Sequence, residues 1–111
     1  MRFVILHHVP STASGRAPHW DLLLDTGSGL LRTWALDTVP TSDATISATP
    51  LAAHRRVFLV YEGPLTGGRG CVTRWDAGEC EVVADSSTRV ELSFSGSRVK
   101  GRVVLKIESG A

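Results

Sequence analysis

Cysteine is scarce in this sequence: Cys71 and Cys80 are the only two, too few for a disulfide framework or a four-thiolate zinc site. They flank the turn-like stretch Trp75-Asp76-Ala77-Gly78, where a hairpin would let them face each other. The plainer reading is two small apolar strand residues kept reduced. An excess of one charge is also missing. Twelve Lys plus Arg stand against 11 Asp plus Glu, a formal +1. No overall field therefore draws the chain to nucleic acid or to an acidic membrane, and any polyanion site has to be a local cluster. Long apolar runs are absent as well. The N-terminal run Phe3-Val4-Ile5-Leu6 ends at His7, shorter than a secretory signal and far from the roughly 20 residues of a membrane span. A cytoplasmic protein with no membrane partner is expected. No repeat, low-complexity tract or linker divides the chain, so residues 1–111 read as one domain with a single modest core. Apolar residues at 42% and charged residues at 21% argue against intrinsic disorder. Nothing calls for a second copy, and a monomer is expected.

What is present reads as strands. Arg2 to His8, His19 to Asp25 and Leu30 to Leu36 are β-rich runs, the second closed by Thr26-Gly27-Ser28-Gly29. Arg56 to Tyr61 reads as a fourth, before Glu62-Gly63-Pro64. Cys71 to Trp75 and Glu79 to Val83 read as a hairpin around Ala77-Gly78. Arg89 to Ser95 alternates, with Val90, Leu92 and Phe94 on one face, and Arg102 to Ile107 does the same with Val103, Leu105 and Ile107. No stretch sustains a helical period; only Pro50-Leu51-Ala52-Ala53-His54 suits a helical turn. Thr38 to Thr49, rich in Thr, Ser and Pro, reads as an excursion outside the sheet. The expected fold is all-β, a compact antiparallel β-barrel of about eight strands, since closure removes exposed edges.

Chemistry concentrates in His19-Trp20-Asp21-Leu22-Leu23-Leu24-Asp25. A period of two puts His19, Asp21 and Leu23 on one face and Trp20, Leu22 and Leu24 on the other, which can pack into the core. An imidazole and a carboxylate then project together, and His7 or His8 on the first strand offers a third ligand. Two imidazoles and one carboxylate with open positions suit Mn²⁺ or Zn²⁺.

The order of several motifs resembles the 3′-phosphoesterase domain of bacterial DNA ligase D. Phe3-Val4-Ile5-Leu6-His7-His8, His19-Trp20-Asp21 and Leu31-Arg32-Thr33-Trp34-Ala35-Leu36 are similar to that family's successive strands. The likeness continues through Tyr61-Glu62-Gly63, Val72-Thr73-Arg74-Trp75-Asp76-Ala77-Gly78, Val90-Glu91-Leu92-Ser93-Phe94-Ser95-Gly96 and Arg98-Val99-Lys100-Gly101-Arg102-Val103-Val104-Leu105. It is collinear over nearly the whole chain. The resemblance implies a compact β-barrel and manganese-dependent trimming of DNA 3′ ends during non-homologous end joining, removing a terminal ribonucleoside and then the 3′-phosphate. Separate ligase or polymerase repair proteins would be its partners. It places His8, His19 and Asp21 on the metal ligands and His54 on a further active-site histidine, able to bind the scissile phosphate or give a proton to the leaving oxygen. A metal there would polarise the phosphoryl group or activate a water.

The sequence also departs from the family. Leu23 and Thr38 stand where the family has basic residues, Ala52 replaces a glutamate, Phe58 replaces a tyrosine, and the His8-to-His19 connection is longer. Losing one charge-assisted phosphate contact costs about 2–4 kcal/mol in transition-state binding. Arg16, Arg32, Arg55 and Arg56 are the candidate replacements. Lys100, between Arg98 and Arg102, is either part of a charged outer face or part of a track for a nucleic-acid backbone. An enzyme on nucleic-acid 3′ ends and a catalytically weakened accessory barrel that keeps metal and nucleic-acid binding are therefore both expectations.

Overall fold

The period-two alternation sets the structure from the first strand onward. In the computed structural model, which describes residues 1–108, Phe3 and Ile5 face one apolar cluster while Val4 and Leu6 face another. Eight strands form: β1 (Arg2–Val9), β2 (His19–Asp25), β3 (Leu30–Leu36), β4 (Thr45–Arg55), β5 (Gly63–Pro64), β6 (Cys71–Asp85), β7 (Arg89–Gly96) and β8 (Lys100–Ile107). Three short 3₁₀ turns, Thr12–Ser14, Arg56–Leu59 and Thr66–Gly68, are the only helical segments among the described residues. Among the described residues no helix is long and apolar enough to cross a membrane. The all-β expectation holds.

The strands belong to one sheet in the order β1-β2-β3-β4-β8-β7-β6-β5, and β1 also pairs with β6. The ladder thus returns on itself through seven strands, with the two-residue β5 appended to β6. The expectation of a fully antiparallel sheet is corrected: β4 and β8 run parallel, Thr45 opposite Val104 to Ala48 opposite Ile107. The reason is parity. Directions that alternate at every step return to their start only after an even number of strands, so a ring of seven must contain a parallel pair.

Three local readings are corrected too. Cys71 to Asp85 is one continuous strand, not a hairpin. Gly78 is there because a Cβ would strike the Ser95 carbonyl across the ladder, so its role is close backbone approach rather than a turn. Arg56 to Tyr61 is a 3₁₀ turn and its exit, because it lies across the sheet as a cover. Its side chains sort with a period of three: Val57 and Val60 are exposed, while Phe58 and Tyr61 pack on the second cluster around the buried Leu59. Pro50 to His54 is strand, paired with β3 from Trp34 opposite Pro50 to Leu31 opposite His54. Pro50 is tolerated there because β4 beyond Ala48 has no second neighbour that needs its missing N–H. The expected excursion therefore ends earlier, at Ala44, and Thr45 to Thr49 belongs to β4.

The larger core is built from Phe3, Ile5, Leu22, Leu24, Trp34, Leu36, Val90, Leu92, Phe94, Val103 and Leu105 among others. The smaller one, Val4, Leu6, Leu23, Leu31, Leu59 and Val72, lies on the other face of β1, β2 and β3. Leu23 is accordingly fully buried. The face that bears His19 and Asp21 is therefore an apolar row that turns polar at one end.

Candidate metal centre and its cavity

The rows Val4-Leu6-His8 on β1 and Leu23-Asp21-His19 on β2 run antiparallel on this face, with His8 opposite His19 and Leu6 opposite Asp21. Register alone thus brings two imidazoles and a carboxylate together. One ligand atom from each of His8, His19 and Asp21 lies within 4.8 Å of the others, so the cluster can hold a metal ion. His7 does not join it. Its ring stacks on Trp20 at 5.0 Å on the opposite face of the sheet, which settles the choice between the two neighbouring histidines in favour of His8.

The hydrogen bonds around the cluster orient the rings. Nε2 of His8 is 3.0 Å from the Arg69 carbonyl, and Nδ1 of His19 is 3.4 Å from the Ala17 carbonyl. A carbonyl only accepts, so each of these nitrogens carries the proton. In the neutral rings this leaves lone pairs on His8 Nδ1 and His19 Nε2. Those two atoms face Asp21, at 3.3 Å from Oδ2 and 3.0 Å from Oδ1. Lone pairs opposed to a carboxylate repel it unless a cation, either a proton or a metal, lies between them. Asp21 is buried, and its Oδ1 has no hydrogen-bond partner among the described residues despite the nearness of His19. Such an orphaned charged oxygen is costly. Without a metal the proton takes the place: contact with Asp21 raises the pKa of His19 above its ordinary 6.5, against the opposing effect of burial. Donors about 2.0–2.3 Å from one ion sit roughly 2.8–3.8 Å apart; the two nitrogen–oxygen separations of 3.3 and 3.0 Å fall in that range, while the three ligand atoms together span up to 4.8 Å.

The cluster opens into a cavity of about 610 Å³. Arg16, Arg55 and Arg69 line it with His54, and Leu51, Phe58 and Leu65 form an apolar wall. None of these three arginines lies within ion-pair distance of a carboxylate among the described residues, and Asp21 is the only acid in the lining. The arginines thus outnumber the acid in the lining three to one. His54 stands at the end of β4, its Nδ1 donating to the Ala52 carbonyl at 2.8 Å and its ring edge-on to Phe58 at 5.6 Å. The protein contacts of His54 thus leave Nε2 available.

The remaining sequence candidates lie elsewhere. Arg32 makes a two-pronged pair with Asp85 at 2.6 and 2.9 Å, lies over Trp34, and borders a separate cavity of about 270 Å³. Arg56 is paired with Asp25 at 2.6 Å. Lys100 is exposed at the start of β8, opposite Ser95. Thr38 is exposed after β3 and does not line the cavity. Both cysteines are free, Cys71 exposed and Cys80 buried, with burial pushing the Cys80 thiol up to about 11. Nine residues apart on one strand, they cannot reach the separation of under roughly 7 Å that a bridge needs.

Sequence reasoning missed the turn Thr66–Gly70. The signal was the run Gly67-Gly68-Arg69-Gly70 between two strands, which marks special backbone conformations. Compared with known proteins, the chain matches no family model and no curated protein.

Proposed function

We propose that this protein is a metal-dependent phosphoesterase acting on nucleic-acid 3′ ends, with the seven-strand ring as a barrel like that of the ligase D phosphoesterase domain it resembles. The observation that supports this best is the pair of imidazole lone pairs aimed at the orphaned Asp21 carboxylate, beside a cavity lined by three arginines without acidic partners. His8, His19 and Asp21 would hold the ion, and Mn²⁺ suits this N₂O set with open positions. When bound, the metal supplies Lewis-acid polarisation of phosphoryl oxygens. Arg16, Arg55 and Arg69 neutralise phosphate charge, and the wall of Leu51, Phe58 and Leu65 excludes water from one side. With Nδ1–H given to Ala52, a protonated His54 presents its second N–H at Nε2, where it donates to a phosphoryl or leaving oxygen.

A second reading is favoured by Leu23, which is fully buried, and by Phe58, which has no hydroxyl to offer. In this reading the barrel keeps the metal and a nucleic-acid end but is catalytically weakened, serving a separate ligase or polymerase. One experiment separates the two: a primer–template ending in a 3′-phosphate or a single ribonucleotide, incubated with excess protein with and without Mn²⁺. Release of phosphate or nucleoside only with Mn²⁺, lost in His54→Ala, is the result expected of the enzyme. Tight Mn²⁺ binding with no product supports the accessory role, and no Mn²⁺ binding refutes both.

A further inference from the structure

We propose that the turn Thr66–Gly70 is a phosphate-binding rim of the cavity, with Arg69 as the residue that grips a terminal phosphate. The proposal rests on the substrate class of the phosphoesterase reading and names the subsite that serves it. The turn is tied to the candidate metal centre through its main chain, since the Arg69 carbonyl accepts from His8 Nε2 at 3.0 Å. Gly70 makes that approach possible. Its φ is +97°, and a Cβ there would collide with the Val9 carbonyl oxygen and Pro10 Cα. The Leu65 N–H closes the turn on the Gly70 carbonyl at 2.7 Å.

The side chain of Arg69 is held as firmly as its backbone. Nε donates to the Thr66 carbonyl at 2.9 Å and Nη2 to Thr66 Oγ1 at 3.1 Å. A guanidinium has five N–H donors, so two are spent on Thr66 and three remain. Arg16 and Arg55, the other cations in the lining, have no side-chain partner of this kind among the described residues. A guanidinium already fixed in orientation loses less freedom on binding a planar or tetrahedral anion than one that must be immobilised. Gly67 and Gly68 complete the rim. Both line the cavity with φ near +70°, and nothing lies within 4 Å of where a Cβ would stand. That part of the rim is bare main chain with room for a bulky anion beside Arg69.

The test uses inorganic phosphate as probe, titrated calorimetrically into Mn²⁺-loaded wild type, Arg69→Ala and Arg69→Gln, with Mn²⁺ affinity measured separately for each. Arg69→Gln keeps a donor for Thr66 and so preserves the turn if the alanine variant unfolds. Expected is a loss of phosphate affinity of about 10- to 100-fold, the worth of a charge-assisted contact, with Mn²⁺ affinity unchanged because every side-chain variant keeps the Arg69 carbonyl. Phosphate affinity equal to wild type in both variants overturns the subsite while leaving the phosphoesterase activity of the wild type untouched. A parallel fall in Mn²⁺ and phosphate affinity also overturns it, because the side chain would then act through the metal cluster. Wild type that binds no phosphate yet trims a 3′-phosphate primer sinks the subsite alone. Wild type that does neither sinks the functional reading with it.

Discussion

Asp21 and Asp76 are each 4% exposed, and both sit on central strands of the same ring, yet their surroundings differ completely. Asp76 accepts four backbone hydrogen bonds, from Ala77 and Ser97 on Oδ1 and from Arg98 and Val99 on Oδ2, all between 2.8 and 3.0 Å. Asp21 meets only two imidazole nitrogens, and one of its oxygens has no hydrogen bond. The first carboxylate staples β6 to the turn between β7 and β8 and has little capacity left. The second keeps its capacity for something the chain does not itself contain. Equal burial therefore says nothing of role; satisfaction of the lone pairs does.

The comparison breaks most sharply if the two residues are exchanged in effect. Asp21→Asn is expected to lower Mn²⁺ affinity by more than the 10–100-fold typical of an outer-sphere partner, with little loss of urea resistance, because the carboxamide N–H can donate to an imidazole lone pair where the carboxylate needs a proton. Titration of Mn²⁺ against both proteins, with chemical denaturation alongside, checks this; unchanged affinity would falsify the ligand assignment. Asp76→Ala is the converse. Stranding the buried Val99 N–H and three part-buried ones is expected to cost about 3 kcal/mol of folding stability, seen as a lower urea midpoint. Any Mn²⁺ effect beyond that from unfolding would erase the contrast.

Next in size is Gly70→Ala, which pushes the Arg69 carbonyl away from His8. Mn²⁺ affinity should fall by about 10- to 100-fold, as for other second-sphere partners of a ligating histidine, whereas Arg69 side-chain variants spare it. Acid sharpens the Asp76 side. Its four backbone hydrogen bonds outweigh the effect of burial and hold its carboxyl below the ordinary 3.8. A depressed folded pKa gives stability that is present above the unfolded value and lost as pH falls through the folded one. The wild-type urea midpoint should therefore be insensitive to this group above about pH 5 and drop below it, with a shallower drop in Asp76→Asn. Part of the fall remains in that variant, because Arg56 and Arg32 likewise lower Asp25 and Asp85. Smallest of all is Arg32→Ala. Its exposed pair with Asp85 is worth under about 1 kcal/mol, and binding of a 3′-phosphate end should not change. A marked loss of end binding would return Arg32 to the site.

Where a residue's role depends on neighbours in sequence, it was legible. His19, Asp21 and the alternation of β2, β7 and β8 follow from period two, whereas the choice of His8 over His7 waits on the register of β1 against β2. Roles that depend on distant segments were not legible. Gly78 looks like a turn residue until Ser95 is seen against it, and the run Val57-Phe58-Leu59-Val60 looks like a strand until it is seen covering Leu23 and Leu31. Arg32 and Arg69 are indistinguishable as letters. One is taken up by Asp85 fifty-three residues away and the other is propped on a glycine turn. The parallel pair was invisible for a different reason: it follows from the number of strands in the ring, which no single strand carries.

The parallel contact of β4 with β8 has a consequence for how the molecule assembles. Two seams of the ring join segments about sixty residues apart or more, and where β1 meets β6 through eight residue pairs, β4 meets β8 through just four. All other ladders can form beforehand, leaving a curled ribbon whose two borders meet here last. The amide hydrogens that cross this seam, such as those Val104 gives to the Ala44 carbonyl and Glu108 to the Ala48 carbonyl, should then exchange with solvent ahead of those in β1, β2 and β7, as in other locally opening units. Refolding should proceed on the millisecond-to-second scale of chains dominated by distant pairings. The same border continues past Ala48 as the unpaired edge of β4 that leads to His54 and Arg55, so the last place to close is continuous with the mouth of the cavity.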